Sequence, residues 1–148
     1  MPDSFREDTP PSTQGPPPAV PRASAAAGYW QNQNGSLLEL EIDDDGAVAG
    51  WFESRKGRAA RGQRFPVLGR ANGGLVSFLV DFRTDTDDLA SITSFSGRLA
   101  AAPNGAQVLH TLWVLARGFE DAERTRPTQP WNSFLVNADV FHRPGEGA

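Results

Sequence analysis

The sequence predicts an all-β fold, an eight-stranded antiparallel up-and-down β-barrel behind a disordered N-terminal tail. Three observations predict it. From Gly28 onward, short segments of alternating apolar and polar residues recur at regular spacing. Turn residues such as Asp43-Asp-Asp-Gly46, Asn72-Gly-Gly74 and Pro103-Asn-Gly105 separate most of them. No stretch carries the period of an amphipathic helix.

The 148 residues set a prior of one domain. Residues 1–27 are expected to be a disordered Pro-rich tail, 28–143 the barrel and 144–148 a polar C-terminal tail. The first segment holds seven of the twelve prolines (Pro2, Pro10, Pro11, Pro16, Pro17, Pro18 and Pro21), with Ser, Thr, Gln and Ala between them. It buries too little apolar surface to offset the entropy of ordering it. A plain spacer is the preferred reading over a ligand for a polyproline-binding module.

Each strand has its own justification. Gly28–Asn32 is the first. Leu37–Ile42 is the second, with Leu38, Leu40 and Ile42 on one face and Glu39 and Glu41 on the other. Asp43 to Gly46 reads as a hairpin turn, since it lacks the ligand spacing of a calcium loop. Ala47–Glu53 returns, with Val48, Gly50 and Phe52 on a common face. Residues 54–62 form a basic, Gly-containing loop. Residues 63–70 are the fourth strand, where Pro66 marks an irregular or edge position. Leu75–Arg83 is the fifth, placing Val76, Phe78, Val80 and Phe82 together. In the sixth, residues 89–99, one face mixes Ser91 and Thr93 with Phe95, which suits a ligand site better than a dry core.

The last pair, residues 108–116 and 131–141, is apolar on both faces. Leu109, Thr111, Trp113 and Leu115 share one face of the first, and Trp131, Ser133, Leu135, Asn137 and Asp139 point one way along the second. The opposite faces carry Val108, His110, Leu112 and Val114, then Phe134, Val136, Ala138 and Val140. If one face lines a barrel interior, the other meets something besides water, and a patch of that width marks a protein interface. A barrel of this strand number encloses room for one small ligand.

Composition narrows the function. There is no Cys, so neither a disulfide nor a thiolate metal site is available. A net charge of -4 and a pI near 5.1 argue against nucleic acid and anionic membranes as partners. No apolar run is long enough to span a bilayer, and no signal peptide is visible at the written start. An enzyme is the weakest reading. His110 falls on an outward face, His142 lies near the terminus, and no nucleophile–base set or metal-ligand spacing can be assembled.

From Trp30-x-Asn32-x-x-Gly35-Ser36 the chain resembles the avidin/streptavidin family of biotin-binding proteins. The likeness recurs in order at Gly50-Trp-Phe-Glu-Ser54, Val67-Leu-Gly-Arg70, Thr93-Ser-Phe-Ser-Gly97, Thr111-Leu-Trp-Val-Leu115 and Trp131-Asn-Ser-Phe-Leu-Val-Asn-Ala-Asp-Val-Phe141. Singly, Trp113 and Phe95 read more readily as core; their joint register with Asn32, Ser36, Ser54, Thr93 and Asp139 carries the case. The resemblance implies non-enzymatic binding of biotin, as a ligand and without a cofactor. Asn32 and Ser36 match donors to the ureido oxygen, Ser54 and Asp139 match acceptors for the ureido N–H groups, and Thr93 matches a partner of the sulfur. Ser91 matches a contact of the tail carboxylate. Phe82, Phe95, Trp113 and Leu115 match the walls, and Trp131 matches a tryptophan lent to the neighbouring subunit's pocket. The resemblance also implies a secreted or periplasmic protein.

The chain departs from the family at three points. Phe52 stands where a ureido-contacting Tyr is usual. Asn34 and Lys56 occupy binding-loop positions that are usually apolar or small, and both are candidate carboxylate contacts. The Cys pair of several dimeric members is missing. The expected assembly is a homotetramer, with a dimer second, through Leu112, Val114, Phe134, Val136 and Ala138. The alternative ligand is another ureido-like or hydrophobic metabolite, bound by a site with weakened biotin affinity.

Overall fold

A computed structural model describes residues 22–55, 62–83, 88–121 and 125–145. Among these, eight strands close into one antiparallel barrel in chain order. They are β1 Gly28–Asn32, β2 Leu37–Ile42, β3 Ala47–Glu53, β4 Arg64–Asn72, β5 Leu75–Arg83, β6 Asp88–Ala101, β7 Gln107–Arg117 and β8 Phe134–His142. This is the expected fold class. Most of the expected tail, residues 1–21, lies outside the described residues, as do Lys56 and residues 146–148.

Alternation places the core. Trp30, Leu38, Leu40, Val48, Phe65, Val67, Val80, Leu109 and Phe141 are buried inside. Phe78 stacks on Phe95 at 4.7 Å between ring centroids, and Phe95 meets Phe141 edge-on at 6.2 Å. Such offset and edge contacts are the favoured aromatic geometries. The turn at Asp43 is a turn and no cation loop, because its carboxylate is already used. Asp43 Oδ1 accepts from the backbone N–H of Asp45 and of Ala47, each at 2.9 Å. Gly46 closes it at φ +88°, and a Cβ there would sit 2.4 Å from the carbonyl oxygen of Ala71.

Pro66 was expected at an irregular or edge position. A closed barrel has no edge, and Pro66 lies inside β4, opposite Trp51 of β3. Pairing with β5 begins one residue later, at Val67 with Val80, so the missing N–H leaves no ladder bond unmade. The last strand also begins later than expected, at Phe134. Trp131 sits in a single 3-10 turn, Pro130–Asn132. Proline suits a first helical position because its fixed φ fits and its absent N–H would be unpaired there. Asn132 completes the stop by accepting from the backbone N–H of Gln129 at 2.7 Å. Upstream, the loop carries Asp121, whose carboxyl is held below its ordinary range chiefly by the Thr125 hydroxyl.

The end of the barrel away from the β1–β2 loop is closed by the chain termini. Ala23–Ala26 forms a 3-10 turn ahead of the boundary expected at Gly28. Trp30 is fully buried, and its Nε1 donates to the Ala26 carbonyl at 2.8 Å. Arg143 lies over the Trp30 ring at 3.9 Å. Its guanidinium donates to the carbonyls of Ala25 at 3.2 Å and Ala27 at 2.8 Å, and to Gln107 Oε1 at 3.0 Å. One side chain thus ties the entry of β1 to the exit of β8. We predict that Arg143→Ala lowers stability by about 2–4 kcal/mol, read by urea denaturation. The exposed Arg98→Ala serves as control, with a change within about 0.5 kcal/mol. Equal effects for the two variants would refute the role given to Arg143.

Candidate functional site

The opposite end of the barrel holds a cavity of about 440 Å³. The β1–β2 loop builds its polar corner. Asn32 ends β1, and its Oδ1 accepts from the backbone N–H of Asn34 at 3.0 Å and of Ser36 at 2.9 Å. The amide oxygen therefore shapes the loop, and Nδ2 is left to face inward. Nδ2 donates to Asp139 Oδ2 at 3.2 Å. Ser36 Oγ accepts from the Arg55 N–H at 2.9 Å, which turns its own proton to other acceptors.

Asp139 is only 8 % exposed. Burying a carboxylate is costly unless donors surround it. Among the described residues none of its partners is a cation. Asn32 takes one oxygen, and Gln33 Nε2 donates to the other at 2.8 Å. Gln33 Oε1 in turn accepts from the Val140 N–H at 3.0 Å. Nearby, Thr111 Oγ1 donates to the Asp139 carbonyl at 2.9 Å, fixing β7 against β8.

The remaining walls follow from register. Phe95 pairs with Trp113 and Thr93 with Leu115 across β6 and β7, so these side chains share the inner face. Phe52 and Phe82 meet edge-on at 6.0 Å. The lining brings together Asn32, Asn34, Ser36, Phe52, Ser54, Phe82, Ser91, Thr93, Phe95, Trp113, Leu115 and Asp139. Trp131 is not among them; it is 82 % exposed on its turn outside the cavity. Lys56 falls outside the described residues. The lining also holds Gln33, Asn137 and Ala138, which the sequence reading did not assign to the site. Asn137 shares the inward parity of Asp139, so alternation had placed it on that face. Gln33 sits in a loop, where alternation gives no direction.

Chemically, the cavity offers an anionic acceptor, amide and hydroxyl donors beside it, and an aromatic slot above. That set can hold a compact polar group presenting both N–H and C=O. Neither His is part of the lining. Among the described residues no three His, Cys, Asp or Glu gather as metal ligands.

Outside the barrel, the register aligns Leu79, Ser94, Val114 and Val136 across four strands, with Leu112 and Ala138 in the next row. Leu112 and Val136 are 65 % and 69 % exposed. Phe134, paired with Ala116, extends this face toward the end of β7, and Trp131 is exposed on its turn.

A family model described as the avidin family matches residues 20–144. The chain belongs to the avidin family. Afifavidin from Afifella pfennigii is 29 % identical over 93 residues, which is 62 % of this chain and 58 % of that protein. The chain therefore spans under two thirds of the length of that curated relative. The barrel is similar to the crystal structure of a rhizavidin–biotin complex, with a TM-score of 0.66 and 27 % identity over 79 % of this chain and 98 % of the other. It is equally similar to apo shwanavidin, at a TM-score of 0.66 and 27 % identity over 78 % of this chain and 97 % of the other.

Gln33 offers a direct test of the corner's construction in this avidin-family barrel. Gln33→Ala removes a donor from Asp139 and the acceptor of Val140. We expect a loss of about 1–3 kcal/mol in chemical denaturation, with faster amide exchange at Val140. Unchanged exchange at Val140 would show that the bridge does not form in solution.

Proposed function

We propose that this protein is a non-enzymatic biotin binder whose ligand sits in the barrel cavity. The observation that carries the reading is the amide-held Asp139 carboxylate, set beside the Asn32, Ser36 and Ser54 side chains in one cavity. A ureido group is complementary to that set. Its oxygen accepts from the Asn32 amide and the Ser36 hydroxyl, and its N–H groups donate to Asp139 and Ser54. Donors and acceptors in a water-poor corner polarise such a group and strengthen each bond. Thr93 meets the sulfur. Phe82, Phe95, Trp113 and Leu115 cover the apolar ring system, and Ser91 and Asn34 serve the tail near the mouth. Membership of the avidin family and the likeness to a rhizavidin–biotin complex support this reading.

The same reading includes a homo-oligomer. The exposed row of Leu112, Val114, Phe134, Val136 and Ala138 supplies its apolar face, with a tetramer preferred over a dimer. Trp131, exposed at the rim, is the residue lent to a neighbouring cavity. A second reading has one observation in its favour. Phe52 lines the cavity without a hydroxyl, so the site suits a ligand whose oxygen needs one donor fewer than the usual avidin site provides.

Four outcomes are expected. Isothermal titration of the full chain with biotin gives one tight site per chain, and the ligand raises the melting temperature. Absence of heat and of any shift in a well-folded sample would refute the biotin reading. Phe52→Tyr adds a donor to a polarised oxygen and tightens binding by about one to two decades, equivalent to roughly 1.5–3 kcal/mol. An affinity unchanged by that hydroxyl would place Phe52 away from the ureido oxygen. In sedimentation, Val136→Lys reduces the oligomer to a smaller species, and in dissociation kinetics Trp131→Ala speeds biotin release. Release at the original rate would remove Trp131 from the site.

A further inference from the structure

A second, shallower cavity of about 430 Å³ opens at the barrel rim. It shares Ser91 with the ligand cavity. Its lining includes Arg117, the last residue of β7. The register says where that side chain belongs. Phe95 faces Trp113, Thr93 faces Leu115 and Ser91 faces Arg117 along β6 and β7. The first two pairs line the ligand cavity, so alternation puts Ser91 and Arg117 on the same inner face, one step nearer the mouth.

The guanidinium there has almost nothing to hold. Nη2 donates to the Asn132 carbonyl at 3.5 Å, the limit of a hydrogen bond. Nε is buried and has no partner among the described residues. The ion pairs among the described residues are those of Glu53 with Arg55 and Arg64, and Arg117 has none with a described carboxylate. Two described acidic groups nearby accept hydrogen bonds from other partners. Asp81 shares the rim cavity but accepts from the Arg83 N–H at 3.0 Å. Glu120 accepts from Asn132 Nδ2 at 3.0 Å. A partly buried guanidinium with spare donors is complementary to a carboxylate, which its planar fork matches.

We propose that Arg117 is a specificity-determining residue that receives the ligand's carboxylate beside Ser91. The assignment rests on the biotin reading above and adds the form of ligand taken. The site then prefers biotin as the free acid over biotin joined through an amide, since the amide carries no charge for Arg117 to meet.

The test compares affinities of the 148-residue chain for biotin and for biotinamide, at low and high salt. For the wild type we expect the acid to bind at least about tenfold tighter than the amide, with the gap narrowing as salt rises. Arg117→Gln should weaken the acid by about that factor and leave the amide within twofold, collapsing the preference. Arg117→Lys keeps the charge without the fork and should give an intermediate ratio, which also decides the matter if the Gln variant fails to fold. An acid-to-amide ratio unchanged by either substitution overturns the role of Arg117 while leaving biotin binding intact. Failure of the folded wild type to bind either compound overturns the biotin reading, and this assignment with it.

Discussion

The structure depends on how β8 closes on β1. Backbone pairing across that seam is limited to Gln31 with His142 and Asn32 with Phe141. Above it, β1 has ended and side chains continue the closure. Asn32 and Gln33 each donate to Asp139, and Gln33 Oε1 accepts from the Val140 N–H as a backbone carbonyl would. The partners are more than a hundred residues apart, at separations of 107 and 106. Contacts of such span join the two ends of the barrel sheet, and their closure cost rises only slowly with the length of chain between them. The seam is also the polar corner of the cavity. Closure of the barrel and assembly of the site are one event, which ties ligand affinity to barrel stability.

Much of this was legible in the sequence for a simple reason. Strand alternation converts position into direction, so Phe52, Thr93, Phe95, Trp113, Leu115 and Asp139 could be aimed inward from the sequence alone. The Asp43 turn was legible because its chemistry is local. What alternation cannot reach is loop geometry and strand length. Gln33 follows the end of β1, and nothing in its neighbours announces that its amide returns to Asp139 and Val140. Trp131 was placed on a strand because Phe134, Val136 and Val140 continue the pattern behind it. The signal against this was Pro130, whose ring favours a first helical position. Arg117 was missed because an arginine at a strand end reads as solvated. Only the pairing of Ser91 with Arg117 shows that it follows Leu115 on the inner face.

The two ends of the barrel solve opposite problems with similar parts. At the closed end, Arg143 covers Trp30 and its donors are met by backbone carbonyls and Gln107, so a cation is held by neutral acceptors. At the open end, Asp139 is held by neutral donors. At both ends these partners are neutral groups. The difference lies in what remains unspent. Arg143 is consumed in holding the termini together, and its end of the barrel is filled by Trp30, Leu40 and Leu109.

At the open end the spare capacity is divided by position along the cavity. Asp139, Asn32 and Ser36 leave an anionic acceptor and neutral donors in the corner, where an anionic ligand group would meet the carboxylate and be repelled. Arg117 leaves a positive fork at the rim. A ligand with an uncharged polar head and an acidic tail fits this gradient in one direction only. Reversed, its anion would lie against Asp139 in a site too dry to screen the repulsion. The aromatic stretch between, Phe95 and Trp113 above all, sets the separation of the two ends and gives no preference for either. On the proposed reading, orientation is set by electrostatics at the ends and affinity by burial in the middle. On the same reading Phe52 costs the corner one donor and leaves both the direction of entry and the apolar contact unchanged.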